Sequence, residues 1–417
     1  MIPARHSSGL PTCGFDSSFA FWREGYTFIS RRCEHLGVDA FRTRMFFDPV
    51  VCMRGREAAE IFYGPGNRFT RQHAMPASVL RLLQDEGSVQ SLDGEAHRWR
   101  KALFTAILGA DAVDHARRMF AGALRAAYSR WRGQEVVLHA AIREVLVRFS
   151  LSWAGVPVSD VDIRLRAAEL CAMVDKAGSV GPANWWARYL RNRAEAWAKG
   201  VIAAYREGDL PGAEGGALAA IATYADPRGV ALDPGVAAVE LLNVIRPTVA
   251  IGNFIVFAVL ALARYPRWRE AFADGGEDDI LPFVQEVRRF YPFFPIIAGR
   301  VRDAFDWRAH AFRRDDWVML DLYGTNHDPD LWPEPQAFFP ERFRDWSGDS
   351  FALIPQGGGE AATSHRCPGE DLTIALTGEA VRFFSRDAAY RVPVQDMSVS
   401  LGRMPAMPKS GLILRFA

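Results

Sequence analysis

Through the first two-thirds of the chain, apolar residues return every three or four positions, the spacing that keeps them on one face of a helix. Residues 19–36, 112–132, 142–153, 161–176 and 186–206 carry this pattern, and Gly133, Gly155, Pro157, Gly181 and Pro182 punctuate it. Between the first two of these helices, residues 41–53 (FRTRMFFDPVVCM) have strand character. The longest predicted helix opens with Asp233 as its N-cap and Pro234 at the first helical position, and runs to Tyr265 ahead of Pro266. About 30 residues at ~1.5 Å each reach roughly 45 Å, enough to cross a whole domain. Its second half, IGNFIVFAVLALA, is apolar nearly all round and so belongs in the interior. Past Pro292, short strand-like runs at 317–322, 397–401 and 412–416 alternate with Pro-rich turns, with one further helix at 371–385. The pattern predicts one domain over 1–417, mainly α with a smaller β-rich part.

Composition narrows the partners. The 417 residues are 49% hydrophobic and 24% charged, so a large core is available. A formal net charge of +1, with the basic residues dispersed, gives no electrostatic pull toward nucleic acid or an anionic membrane. The five cysteines (Cys13, Cys33, Cys52, Cys171, Cys367) are odd in number, far apart and without a Cys-x-x-Cys pair. This argues against a disulfide framework and against zinc or iron–sulfur sites. The opening MIPARHSSGLPTCGF lacks the apolar run of a signal peptide. The apolar stretch 249–263 is interrupted by Gly252 and Asn253 and falls short of a bilayer span. A soluble, cytoplasmic protein with no membrane span is expected.

The segment 355–370, PQGGGEAATSHRCPGE, holds the strongest chemical signal. Three consecutive glycines let the backbone adopt φ > 0 and approach a flat ligand closely. Cys367 stands just before a predicted helix N-terminus, where the dipole and free N–H groups favour thiolate. Gly369 keeps bulk away from the sulfur, so that N–H groups reach it, and His365 can meet an anionic group on the ligand. A buried free cysteine beside a glycine turn would account for Cys367, but not for the glycines, the histidine, the Pro-Gly and the helix start together.

With these residues the chain resembles the cytochrome P-450 superfamily, whose proximal Cys thiolate ligates haem iron. The resemblance covers essentially the whole chain. It implies that family's fold, with haem b (iron protoporphyrin IX) between the long central helix and the proximal Cys loop, and Cys367 as axial ligand. Glu286-Val-Arg-Arg289 matches the family's Glu-x-x-Arg helix, where residues three apart can form an ion pair. Pro340-Glu-Arg-Phe343 matches the segment whose Arg342 would complete a buried Glu–Arg–Arg cluster. Upstream, His97 and Lys101 stand where the family places basic groups over the haem propionates, with Arg71 and, more weakly, Arg300 as further candidates. Two carboxylates entering a buried site need cationic partners.

The central helix departs from the common family pattern. Where ordinary monooxygenases of the family carry an acid–alcohol pair that delivers protons, this chain reads Asn243-Val-Ile-Arg246-Pro247-Thr248. Pro247 removes a helix hydrogen bond and is expected to kink the helix. Arg246 puts a permanent cation into an apolar element, and an unpaired charge there would be costly. Glu240, the nearest acid, lies six residues back, beyond one turn on the same face. A more distant Asp or Glu is one possible partner; a substrate carboxylate, bound bidentately, is the other.

The Arg–Pro pair together with QGGG…HRCPGE is similar to the bacterial fatty-acid peroxygenase branch of the superfamily. LLNVIRPTVAI, FVQEVRRFYPF and LDLYGTNHDP carry the same likeness. The likeness implies a long-chain fatty acid and hydrogen peroxide as partners, with no redox partner required. A carboxylate on Arg246 would move the protons of peroxide cleavage and leave Cα and Cβ nearest the iron, so that α or β hydroxylation follows. Gln90 aligns beside the substrate carboxyl, where Gln accompanies hydroxylation and His accompanies decarboxylation to terminal alkenes. Leu83-Gln84 replaces an aromatic found in other members, Phe294 is expected near the carboxylate end of the pocket, and Val180 at its wall. The alternatives are alkene-forming decarboxylation, a conventional reductase-dependent monooxygenase, and a non-catalytic haem carrier or sensor.

Overall fold

The computed structural model describes residues 9–83, 87–157, 159–210, 215–308 and 310–417. Its axis is the helix Pro234–Arg264, 31 residues long. Asp233 caps it as expected: its Oδ1 accepts from the N–H groups of Gly235 at 2.7 Å and Val236 at 3.4 Å. Tyr265 then turns out of the helical region and Pro266 opens the next helix, Pro266–Ala273. Between Ala237 and Leu262 every side chain except Pro247 is buried. Pro247 lies inside the helix without ending it.

By length and apolarity this helix could cross a bilayer, which the sequence reading had put out of reach; 89% of its most apolar stretch is buried inside the protein. It packs against the helices Leu138–Trp153, Pro182–Glu207 and Glu370–Arg382. Gly252 allows close approach to Leu138–Trp153, since a Cβ there would stand 3.1 Å from Leu146 Cδ1. Each Leu, Ile or Phe sealed in this core contributes roughly 1.5–3 kcal/mol.

Other predicted helices form with small changes of boundary, as Ala110–Trp131, Leu138–Trp153, Asp160–Asp175 and Pro182–Glu207. The first does not form as one piece. Gly25, at φ +56, breaks it into Ser18–Glu24 and Phe28–Leu36, with a 3-10 turn between them. The final helix, Glu370–Arg382, ends in a π turn over Phe383–Asp387.

The strand-like 41–53 is a hairpin, Ala40–Met45 with Asp48–Met53. Asp48–Met53 pairs in parallel with Trp317–Asp321, which pairs antiparallel with Ile296–Val301, and Phe69–Thr70 closes this sheet. A second, three-stranded sheet holds Glu135–Val137, Ile413–Phe416 and Tyr390–Arg391. The run 397–401 is not a strand. Only an isolated bridge joins Val399 to Pro408, and loop contacts such as Lys409 N–H to Ser398 O at 2.9 Å satisfy its backbone.

Two glycines separate conformation from packing. Gly25 and Gly37 both have positive φ, but a Cβ on Gly25 would fall 2.2 Å from Leu401 O, whereas Gly37 has no neighbour within 4 Å. Gly37→Ala should cost about 1–2 kcal/mol of conformational strain, and Gly25→Ala a further ~1–3 kcal/mol from overlap. Denaturant midpoints measure both, and equal losses would contradict the packing role of Gly25.

Candidate active site

The loop ahead of Glu370–Arg382 is held by its own glycines. Gly357 and Gly359 have φ of +94 and +80. A Cβ on Gly357 would meet Arg366 Cα and Tyr63 Oη at 3.2 Å, and one on Gly358 would meet Ser350 O at 2.8 Å. The close approach that these glycines permit is therefore to the protein's own chain, not only to a flat ligand. Cys367 N–H donates to Gln356 O at 3.0 Å, tying the two arms of the loop together.

Cys367 itself is partly exposed, and the Gly369 N–H donates to its sulfur. Burial nonetheless pushes its thiol above the ordinary value, against the pull of that N–H and of Lys101. The helix start favours thiolate less than expected, so a bound cation has to supply the rest.

Beside the loop lies a group of basic side chains. The helix Gly94–Ile107 presents His97 and Lys101, both buried, and Lys101 Nζ donates to Arg366 O. The His97 ring lies 4.2 Å from that of His365. Arg71, buried, donates to Ala298 O at 2.8 Å and sits over the Phe62 ring at 4.5 Å. Burial lowers all four groups: His97 to about 3, His365 to about 4, Lys101 to about 8, and Arg71 below its usual range. The carboxylate facing them is Asp93, 3.8 Å from His365 Nε2. At these values the two histidines are neutral and Lys101 and Arg71 carry the charge, so the group offers two cations and two imidazoles to a guest that brings its own anionic groups, as the two propionates of haem do. Arg300 stands apart from this group. It donates to His73 O and Asp315 O, because its strand pairing with Trp317 carries it toward that turn.

On the central helix Arg246 is 4% exposed. Its guanidinium donates to Asn243 Oδ1 at 2.9 Å, to Leu82 O at 3.4 Å and to Leu83 O, among its contacts. The latter two carbonyls end the helix Ala77–Leu83, where the dipole favours a cation. Asn243 Nδ2 donates to Gln90 Oε1 at 3.1 Å and to Glu240 Oε2 at 2.9 Å. Glu240 Oε1 accepts from Arg100 Nη1 at 2.5 Å and Val89 N–H at 2.9 Å. Arg246 and Gln90 thus meet through Asn243. The sequence reading set Glu240 aside as too far back. Its signal was available, since Glu240, Asn243 and Arg246 are polar residues at three-residue steps in an apolar helix.

Phe294 keeps 42% of its surface open, its ring edge-on to Phe293, which stacks on Phe254 of the central helix at 4.3 Å. Val180 stands 68% exposed on the loop before Pro182–Glu207. Gln84 lies outside the described residues.

Behind the loop, Glu286 and Arg289 are fully buried and paired through two bonds of 2.7 Å. Arg342 Nε lies 3.4 Å from the same carboxylate, and Phe339 N–H donates to it at 2.8 Å. A second cluster escaped the sequence reading: Glu370 accepts from Arg366 at 2.5 Å and from the fully buried Arg288. Against its burial, Arg288 and Arg366 hold the Glu370 carboxyl below its ordinary value.

A cysteine loop before a helix, a nest of basic side chains and an arginine-bearing core helix together fit a haem-thiolate site. The Cytochrome P450 family model matches residues 282–375. Rhazimal synthase of Alstonia scholaris is 28% identical over 152 residues, and the match spans 29% of that enzyme's length. Geissoschizine oxidase of the same plant is 34% identical over 91 residues, 17% of its length. Solved structures match far more fully. Cytochrome P450EX alpha (CYP152N1) with myristic acid is 40% identical, covers 97% of this chain and 98% of its own, and superposes with a TM-score of 0.94. Cytochrome P450SP alpha (CYP152B1) in complex with (R)-ibuprophen gives 43%, 96%, 98% and 0.93. An OleT variant in complex with arachidonic acid gives 32%, 97%, 97% and 0.94. The chain belongs to the cytochrome P450 superfamily, and within it to the CYP152 family.

Two variants test this site. Glu286→Gln leaves Arg289 buried without a carboxylate and should cost about 3–5 kcal/mol, read from the denaturant midpoint. In Cys367→Ser, with circular dichroism unchanged, the red-shifted Soret band of the reduced carbonyl adduct should disappear. A retained band would refute the ligand assignment.

Proposed function

We propose that this protein hydroxylates long-chain fatty acids at the α or β carbon, using hydrogen peroxide and no redox partner. The observation that carries the reading is Arg246-Pro247 at the centre of the buried helix, with Gln90 beside it through Asn243. An acid–alcohol pair would stand there in a monooxygenase fed by a reductase. The CYP152 neighbours add support, since the molecules named with them are myristic acid, arachidonic acid and ibuprofen, all carboxylic acids.

Haem b, held by Cys367 with Arg71, His97, Lys101 and His365 toward its propionates, supplies the oxygen-transfer chemistry when bound. The chain's own residues do the rest. Arg246 binds the fatty-acid carboxylate through its planar fork and fixes both oxygens. There it holds a carboxylate that accepts a proton from one oxygen of hydrogen peroxide and returns it to the leaving oxygen, which departs as water. Gln90, neutral and already bonded to Asn243, lines the carboxyl end without offering a second titrating group. Anchoring at the carboxylate makes Cα and Cβ the carbons in reach, whatever the chain length.

The test supplies the purified holoenzyme with myristic acid and hydrogen peroxide, without reductase or nicotinamide cofactor, and identifies products by mass spectrometry. Hydroxylation at C2 or C3 is expected, with a loss of at least ~100-fold in kcat/KM for Arg246→Ala. No hydroxy acid, or equal activity in Arg246→Ala, would overturn the proposal. Terminal alkene as the main product would point to decarboxylation instead.

A further inference from the structure

Glu240 is fully buried, and two of its three partners, Val89 and Asn243, lead toward Gln90 and Arg246. Its Oε1 takes Arg100 Nη1 and the N–H of Val89, which opens the 3-10 turn Val89–Ser91 carrying Gln90. Its Oε2 takes Asn243 Nδ2. All three partners donate, the arrangement of an ionised carboxylate; burial raises its pKa above the ordinary value, and Arg100, Asn243 and the Val89 N–H oppose that rise.

An ionised carboxylate offers no donor, and this decides how Asn243 is turned. With Nδ2 committed to Glu240 Oε2 and Gln90 Oε1, the carboxamide must present Oδ1 to Arg246, where it accepts at 2.9 Å. Turned the other way, it would point an NH2 group at a guanidinium and a carbonyl at a carboxylate. Arg100 holds Glu240 from the far side, at the wall of a surface cleft of about 450 Å³ that Trp99, Tyr224 and Arg228 also line. Lys101, the next residue on that helix, bonds the cysteine loop, so the same element steadies both sides of the site.

We propose that Glu240 and Arg100 are positioning residues: Glu240 orients the Asn243 carboxamide and the Gln90 turn, and thereby sets the direction of the Arg246 guanidinium toward a substrate carboxylate. This rests on the reading of Arg246 as the carboxylate anchor. In Glu240→Gln, the new amide can still accept from Arg100 and Val89, but it then turns its NH2 toward Asn243. Asn243 must flip to accept that bond, and its own NH2 then faces Arg246.

The test titrates the holoenzyme with myristic acid, following the substrate-induced Soret shift, and measures kcat and KM with peroxide. Haem content and thermal midpoint are recorded for each variant. Glu240→Gln should raise Kd and KM about tenfold with a smaller change in kcat, while haem content is retained. Glu240→Gln combined with Asn243→Ala should bind no more weakly than Asn243→Ala alone, because both act through one carboxamide. Arg100→Ala should lose affinity and regain part of it with added ethylguanidinium, which can enter by the cleft. If Arg246→Ala abolishes binding while Glu240→Gln and Arg100→Ala bind normally, the positioning role is refuted. If Arg246→Ala binds normally as well, the anchor reading fails. Should Glu240→Gln not fold, Arg100→Ala decides: normal affinity, or a loss that ethylguanidinium leaves unchanged, overturns the proposal.

Discussion

A helix sealed on all sides has to find partners for every charge it carries, and here the helix Pro234–Arg264 carries two such charges near its middle. Glu240 and Arg246 lie at 0% and 4% exposure, where unsatisfied charge costs several kcal/mol. They do not pair directly. Glu240 is met by Arg100, a backbone N–H and Asn243, while Arg246 draws on Asn243 and on carbonyls at the end of Ala77–Leu83. Asn243, which both donates and accepts, is the joint between them. The guanidinium is therefore stable in place without a direct Glu–Arg pair.

The same rule shapes the cofactor side. Four basic groups, two charged (Lys101, Arg71) and two neutral imidazoles (His97, His365), are brought beside the cysteine loop at a desolvation cost that lowers all four, and haem propionates fit that need. Behind the loop, Glu286 with Arg289 and Glu370 with Arg288 and Arg366 are closed clusters whose charges are met within the chain. Closed clusters fix geometry; the open one waits for a ligand. The helix Gly94–Ile107 joins the two halves, through Arg100 to the central helix and through Lys101 to the loop.

What could be read from the sequence was what neighbouring residues decide. Asp233-Pro234 starts the central helix because capping is local, and Glu286 with Arg289 pairs because three residues make nearly one turn. The break at Gly25 was hidden because its reason is Leu401, distant in sequence. The run 397–401 has strand-like alternation but no partner strand to pair with. Around the candidate site, Arg246, Gln90, Lys101, His97, His365 and Arg71 stand out by residue type and motif, and Glu240 and Asn243 by their spacing from Arg246, while Arg100 and Asp93 do not, since their contacts run across the fold. Arg300 is drawn toward the His73 and Asp315 carbonyls by its strand pairing with Trp317.

If Arg246 serves to hold a carboxylate that moves protons, the carboxylate need not belong to the molecule being oxidised. The decisive measurement is the rate of peroxide-driven oxidation of a neutral aromatic compound, with and without a short alkanoic acid too small to be hydroxylated. A saturable acceleration by the acid in the native enzyme, absent in Arg246→Ala, is the expected result. A rate indifferent to the acid, or an acceleration that survives the loss of Arg246, would contradict the account.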